Sequence, residues 1–210
     1  MKSVGLKMMV LAGVLSTPAM ACDLCSVYSV AQARGESGSG IFAAVAGQFT
    51  HFGTVQQDGV KQANVAEQRL DSYITQIVAG YNFNDRLGVQ VNLPWIERSY
   101  KRPDGLAIEQ GNVRGIGDIS LLGRLALVTL EEEKTTLRWQ LQGGVKLPTG
   151  SSKRIYEEVL ELTAPPPPPG AIDSGIHGHD LALGTGSVDG IVGTSIYARW
   201  SKLFLTVNAQ

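Results

Sequence analysis

The chain has 210 residues, a formal net charge of −1 and 43% hydrophobic residues. The length suits one domain or a large part of one, and the near-neutral charge gives no indication of a nucleic-acid partner, which usually shows as a basic patch. The 25 glycines are scattered rather than periodic, which excludes a collagen-like repeat. No stretch after Ala21 approaches the roughly 18 apolar residues of a membrane helix, so a helical membrane bundle is not expected.

The N-terminus has the pattern of a secretory signal peptide. Lys2 and Lys7 precede a short apolar run, and Thr17-Pro-Ala-Met-Ala21 ends in an Ala-x-Ala cleavage site. The apolar run is too short to span a bilayer as a helix. We therefore expect residues 1–21 to be removed as a bacterial signal peptide and the mature protein to be exported.

Cys22 and Cys25 are the only cysteines, and they lie in a predicted periplasmic tail, residues 22–39. A c-type haem site is excluded because Ser26, and not histidine, follows the second cysteine. A thioredoxin-like motif would need a βαβ unit, which the pattern lacks. Four interpretations of the two cysteines stay open. They are lipidation of Cys22, a disulfide, half of a soft-metal site, and a local feature of a flexible tail.

From residue 40 onward, apolar and polar residues alternate in the manner of β-strands with one apolar face. The clearest strand runs from Leu137 to Pro148, where the odd-numbered residues are mostly apolar and the even-numbered residues mostly polar. Seven such strands are predicted, at residues 41–54, 71–83, 86–96, 118–129, 136–148, 186–198 and 203–210.

Long and short connections alternate between these strands. The predicted long connections are residues 55–70, 97–117 and 149–184, and the short turns are 84–85, 130–135 and 199–202. This alternation is typical of an outer-membrane barrel with long extracellular loops and short periplasmic turns. A soluble lipocalin-like barrel would place the same apolar faces inside. We therefore expect an all-β, antiparallel, transmembrane up-and-down β-barrel whose apolar face contacts outer-membrane lipid.

Aromatic residues near the strand ends agree with two interfacial girdles. The set near the short turns is Tyr81, Phe83, Trp139, Tyr197 and Trp200, and the set near the long connections is Tyr73 and Trp95. Within the third long connection we predict a helical turn at residues 156–161 and a polyproline II run at Pro165 to Pro169.

The predicted strand number is odd, whereas bacterial single-chain barrels have even numbers. The last strand also stops at Gln210, and an unpaired strand edge is not tolerated in lipid. We expect the natural protein to continue beyond Gln210, to about twelve strands in all. The predicted domains are a signal peptide, 1–21, a tail, 22–39, and an incomplete barrel, 40–210.

Three glycine-containing motifs follow one another along the chain. They are Gly115-Ile-Gly-Asp-Ile-Ser-Leu-Leu-Gly-Arg124, Gly144-Val-Lys-Leu-Pro-Thr-Gly150 and Gly184-Thr-Gly-Ser-Val-Asp-Gly190. In these motifs the chain resembles the outer-membrane transporter-like proteins grouped under the meta-pathway of phenol degradation. The resemblance covers about Ile41 to Gln210, implies an outer-membrane barrel and says little about its solute. The Cys-x-x-Cys start and the His-Gly-His stretch depart from the general pattern.

The strand parity predicts ten polar side chains that face the lumen of the barrel. They are Arg86, Gln90, Asn92, Asp118, Ser120, Arg124, Arg138, Gln140, Gln142 and Lys146. Four of the ten are cationic and one is acidic, so we expect a mild preference for anionic or phenolate-like solutes. The alternative is that these side chains only hydrate and cross-link the lumen.

His177 and His179 form the only histidine cluster, and with Asp180 they are candidate metal ligands. Two histidines in an external loop are more often solvated, and we expect no metal and no other cofactor. His51 is the only strand histidine, and no catalytic partner can be named for it, so we expect no enzymatic activity. The expected function is an outer-membrane channel or transporter for small solutes. A structural or surface-displaying barrel is the alternative, and the oligomeric state stays open.

Overall fold

The structure is a computed structural model that describes residues 39–57, 59–162 and 168–210. Cys22, Cys25, the expected signal peptide and Pro165 to Pro167 lie outside these residues. The strands are β1 (Gly40–Phe52), β2 (Gln56–Gln57), β3 (Val60–Lys61), β4 (Arg69–Asn82), β5 (Leu87–Asp104), β6 (Ala107–Ile116), β7 (Ile119–Glu131), β8 (Thr135–Leu147), β9 (Asp189–Trp200) and β10 (Leu203–Ala209). Two helices, α1 (Lys153–Leu162) and α2 (Gly178–Leu181), lie between β8 and β9.

The molecule is all-β, and one antiparallel sheet curls into a half-barrel. Its main path is β1-β4-β5-β7-β8-β9-β10, so each strand pairs with the next long strand along the chain. These seven strands confirm the predicted number and the up-and-down order. β6 pairs with β5 off the main path, and β2 and β3 form a separate two-stranded hairpin.

The sheet exposes apolar side chains on its convex face and encloses polar ones on its concave face. On β4, Ile77 is 44% exposed, while the neighbouring Gln76 is fully buried at 0%. The same alternation continues along β5, where Val89 and Val91 are exposed and Gln90 is buried. The side-chain period of two assigns the residues of each strand to the two faces in turn. The strand parity predicted from the sequence is therefore confirmed for β4 and β5.

The second long connection was expected to be a loop over residues 97–117, and that expectation is wrong. β5 continues to Asp104, and β6 returns antiparallel to it from Ala107. Both faces of this hairpin carry polar residues, so the contrast that reveals a strand in the sequence is missing there. The paired backbone nevertheless satisfies its hydrogen bonds as a strand extension of the sheet.

The third long connection also differs from the loop expected over residues 149–184. The predicted helical turn is the ten-residue α1, and residues 174–185, which we call the inward segment, fold against the concave face. The segment packs through apolar side chains in two small clusters. These are Leu70, Tyr100, Ile176 and Leu181 in one, and Ile74, Ile96 and Leu183 in the other, with Val113 packed against both. Among the described residues, neither helix is long and apolar enough to cross a bilayer.

One member of the predicted aromatic girdles is misplaced. Tyr197 lies opposite Arg138 in the β8–β9 register, so both side chains point to the concave face. Trp139 and Trp95 lie on the convex face as predicted, and both are about two-fifths exposed. Their indole N–H groups donate to Thr194 Oγ1 at 2.9 Å and to Glu97 Oε1 at 2.8 Å.

Candidate functional site

Nine of the ten predicted lumen residues lie on the concave face. Seven are buried, namely Gln90, Asn92, Asp118, Ser120, Arg138, Gln140 and Gln142, and Arg124 and Lys146 are partly buried. Arg86 is the exception, since it is exposed in the turn before β5. Asn84 Oδ1 accepts the backbone N–H groups of Arg86 and Leu87, each at 2.8 Å, and this side-chain turn delays the start of the strand by one residue.

Asp118 connects the two ends of the segment between β8 and β9. Its carboxylate is 2% exposed and accepts the backbone N–H of Gly150 at 2.9 Å and that of Thr185 at 2.8 Å. The Thr185 hydroxyl donates to the same carboxylate at 3.1 Å, and Lys146 Nζ lies 3.9 Å from it. We call this group of four residues the Asp118 clasp. Charge-assisted hydrogen bonds of this kind are about twice as strong as neutral ones.

The three glycine-containing motifs meet at the clasp. Thr149 Oγ1 donates to the Gly117 carbonyl at 2.9 Å and accepts the Ile119 N–H at 2.9 Å. A Cβ placed on Gly184 would press on the Asp118 carboxylate and lie 2.8 Å from the Gly150 Cα. The backbones therefore approach closely only because residue 184 has no side chain.

Lys146 was predicted to contribute positive charge to the lumen, but carboxylates surround it. Besides its contact with Asp118, its ammonium group forms an ion pair with Asp189. The Asp189 carboxylate also accepts a hydrogen bond from the Ser187 hydroxyl at 2.9 Å. Lys146 thus stabilises the strand ends at the clasp, and its charge is compensated.

Two arginines that the sequence analysis placed in a loop bind the inward segment. Arg98 is 6% exposed, and it donates to the Ala182 carbonyl and, at 3.3 Å, to Ser72 Oγ. Arg102 donates to the Ile176 carbonyl at 3.3 Å. Both were missed because they alternate with polar neighbours and show no apolar period. The concave face therefore holds the inward segment by side-chain-to-backbone hydrogen bonds as well as by apolar packing.

Glu109 on β6 connects the β5–β6 hairpin to α1. Its carboxylate accepts Tyr100 Oη at 2.6 Å, Arg102 Nε at 2.7 Å and Arg154 Nη1 at 3.1 Å. Burial favours the neutral acid, but the hydrogen bonds from Tyr100 and Arg102 and the two positive charges outweigh it and lower the pKa of Glu109. Burial and the bond to Glu109 raise the pKa of Tyr100. The carboxylate therefore stays charged and cross-links the hairpin and the helix.

The histidines lie at the start of α2 and contact α1. His179 donates its backbone N–H to Glu158 Oε2 at 2.7 Å, and its Nδ1 lies 2.9 Å from Glu158 Oε1. The rings of His177 and His179 stack at 5.6 Å, and the His177 N–H donates to Asp180 Oδ2 at 2.9 Å. Burial alone would raise the pKa of Glu158, but the His179 hydrogen bonds lower it. Within the described ranges, no three His, Cys, Asp or Glu residues are grouped to hold a metal ion.

The end of the concave face nearest the short turns carries three arginines, Arg124, Arg138 and Arg199, which we call the arginine belt. Arg124 donates to Asn82 Oδ1, and Arg199 donates to Thr136 Oγ1 at 3.2 and 3.1 Å. Arg138 lies 4.0 Å from Glu131. The sequence analysis missed Arg199 because it assigned residues 199–202 to a turn, whereas β9 extends to Trp200.

Comparison of the chain with family models, with curated proteins and with solved structures gives no match. The resemblance in the glycine-containing motifs therefore stays a prediction.

Proposed function

We propose that this chain forms the wall of an outer-membrane β-barrel that passes small solutes and prefers anions. The observation that carries the proposal is the reversed distribution of polarity over the sheet. A soluble barrel buries its apolar side chains and hydrates the polar ones. Here Asn92 and Ser120 are enclosed on the concave face, whereas Val89, Val91 and Leu121 are exposed on the convex face. This distribution suits lipid outside and water or solute inside.

The size of the apolar convex surface supports a membrane location. On β5, the exposed apolar residues extend from Leu87 to Trp95, nine residues along one strand. A tilted transmembrane strand needs about 9–11 residues. The bonded indole groups of Trp95 and Trp139 provide polar contacts near opposite ends of this surface, where the membrane interfaces would lie.

The inward segment supports a narrow passage rather than a wide pore. Leu183 packs against Ile74 and Ile96 inside the curl, and Arg98 holds the neighbouring Ala182 carbonyl. A segment held there reduces the cross-section that a solute can use. The solutes in this proposal are therefore small. The signal peptide, the outer-membrane location and membership of the meta-pathway group belong to the same proposal.

The test is reconstitution of the protein into planar lipid bilayers. We expect stepwise ion conductance and migration on a denaturing gel that changes on heating. A protein that shows heat-modifiable migration but no conductance would favour the structural barrel. A protein that shows neither property and stays in the aqueous fraction would contradict the membrane location itself.

A further inference from the structure

We propose that Arg124 is the centre of a binding site for a carboxylate or another small oxyanion on the concave face. This inference rests on the proposed passage and assigns its anion preference to one side chain. Arg124 lies on β7, between Asn82 of β4 and Gln142 of β8. Its guanidinium group sits over the Phe42 ring, with 5.4 Å between Cζ and the ring centroid.

No described residue balances the charge of Arg124. Within the described ranges, no carboxylate oxygen lies within 4.0 Å of its guanidinium group, and its hydrogen bond goes to the neutral amide of Asn82. Arg138, on the adjacent strand, acts on it with a charge of the same sign. A partly buried cation without a counter-charge is costly. An anion beside Arg124 would remove that cost.

The neighbouring strands leave space for this side chain. A Cβ on Gly88 would lie 3.1 Å from Arg124 Nη2, so the guanidinium group leans across a residue that has no side chain. The guanidinium group therefore extends across β5 toward Asn82 of β4 instead of being displaced by a neighbour.

The surroundings determine the class of ligand. A guanidinium group offers a planar fork of N–H donors that matches the two oxygens of a carboxylate or phosphate. This site differs from the clasp in its charge balance, because Lys146 in the clasp already has Asp118 and Asp189 as partners. The arginine belt is the part of the concave face where cations outnumber carboxylates.

The experiment compares the wild-type protein with the R124Q and R86Q variants. R86Q is the matched control, because it removes one arginine from an exposed turn off the concave face. Reversal potentials in a KCl gradient give the chloride-to-potassium preference. Calorimetry with sodium phosphate on the detergent-solubilised protein measures binding without any need for conductance.

We expect the wild type and R86Q to prefer chloride and to bind phosphate equally. R124Q should lose the chloride preference and bind phosphate about tenfold more weakly, because it loses a charged hydrogen-bond donor. Unchanged selectivity and binding in R124Q would overturn the site, and so would an equal loss in R86Q, which would show a general charge effect. Absence of phosphate binding by the wild type would overturn it as well.

The two measurements separate this inference from the proposed function. Phosphate binding that R124Q loses, in a protein without conductance, would support the site and contradict the passage. If the protein conducts ions but R124Q has the same selectivity and phosphate binding as the wild type, the passage is supported and the site is contradicted. If R124Q does not fold, R124K replaces it. Because an ammonium group lacks the planar fork, weaker phosphate binding by R124K than by R86Q supports the site. Equal binding overturns it.

Discussion

We call the end of the concave face nearest the long connection between β8 and β9 the loop end, and the end nearest the short hairpins the turn end. At the loop end, Lys146 faces Asp118 and Asp189, and Arg102 faces Glu109. At the turn end, Arg124 and Arg199 have no carboxylate within 4.0 Å among the described residues. Charges on the two halves of one sheet face thus serve different purposes. Compensated charges at the loop end fasten chain segments to one another. The uncompensated charges at the turn end are those that the proposed passage would present to a solute.

The difference between the two ends follows from the kind of chain connection found at each of them. The long connection between β8 and β9 enters and leaves the sheet at the loop end, so backbone N–H groups there need acceptors. Asp118 provides acceptors for both ends of that connection. The turn end has short hairpins that bond internally, as in Glu132 N to Thr135 O at 2.7 Å. Arg138 lies near Glu131 at this end, but Arg124 and Arg199 have no carboxylate within 4.0 Å in the part of the chain that the structure describes.

The largest effect is expected from removing the clasp. Asp118→Ala leaves the N–H groups of Gly150 and Thr185 without their acceptor, while Lys146 keeps its ion pair with Asp189. We expect a loss of about 3–5 kcal/mol in the free energy of unfolding, because each hydrogen bond to a charged group contributes about 1.5–3 kcal/mol. Urea titration in lipid vesicles measures the loss, and limited proteolysis at residues 151–162 reports release of the segment.

Asp189→Ala is the matched control for Asp118→Ala. It removes the other carboxylate that contacts Lys146, but its side chain is 44% exposed and accepts neither segment end. Its unfolding curve should stay close to that of the wild type. If both variants lose the same stability, ion pairing of Lys146 explains the effect and the clasp does not.

A smaller effect is expected from filling the close approach at Gly184. The added methyl group of Gly184→Ala would press on the Asp118 carboxylate and on the Gly150 backbone. Overpacking of this kind costs about 1–3 kcal/mol. Gly190→Ala is the control, since nothing lies within 4 Å of its Cβ. Thermal unfolding of both variants in one detergent gives the comparison, and equal midpoints would rule out the tight contact.

A smaller effect again is expected from acidification at the α1–α2 contact. The pKa of Glu158 is lowered in the folded chain, so its stabilisation is full above the unfolded value of about 4.3 and disappears as pH falls through the folded value. Exposed pairs contribute about 0.2–1 kcal/mol. Hydrogen exchange should therefore show lower protection of the His179 N–H at acidic pH. Glu158→Gln should abolish that pH dependence, and Glu132→Gln, in an exposed turn, should retain it.

The smallest effect is expected at Gln76. Neither of its amide atoms has a hydrogen-bond partner among the described residues, although the side chain is fully buried. Gln76→Met should therefore change the free energy of unfolding by less than about 1 kcal/mol. Gln90→Met breaks the 3.1 Å bond to Asn92 Oδ1 and should cost more. A larger loss for Gln76→Met than for Gln90→Met would show that Gln76 has a partner in the folded protein.

Sequence reasoning succeeded where the two faces of a strand differ in polarity. β8 was predicted at residues 136–148 and lies at Thr135–Leu147. It failed where both faces are polar, as at Arg98 and Arg102, because a strand with two polar faces shows no alternation of apolar and polar residues in the sequence. It also misjudged Arg86, where the Asn84 side chain, rather than residue polarity, determines the start of the strand.

The sequence by itself determined the seven strands of the main path, their antiparallel order and, for most residues of those strands, the face on which the side chain lies. These properties are local, because a period of two and a turn signal can be read within a few residues. Only the tertiary structure decided that residues 174–185 fold inward and that Asp118 holds Gly150 and Thr185, which lie 32 and 67 residues away. It alone decided which cations have partners. Charge compensation depends on distances in space, and residue type does not report them.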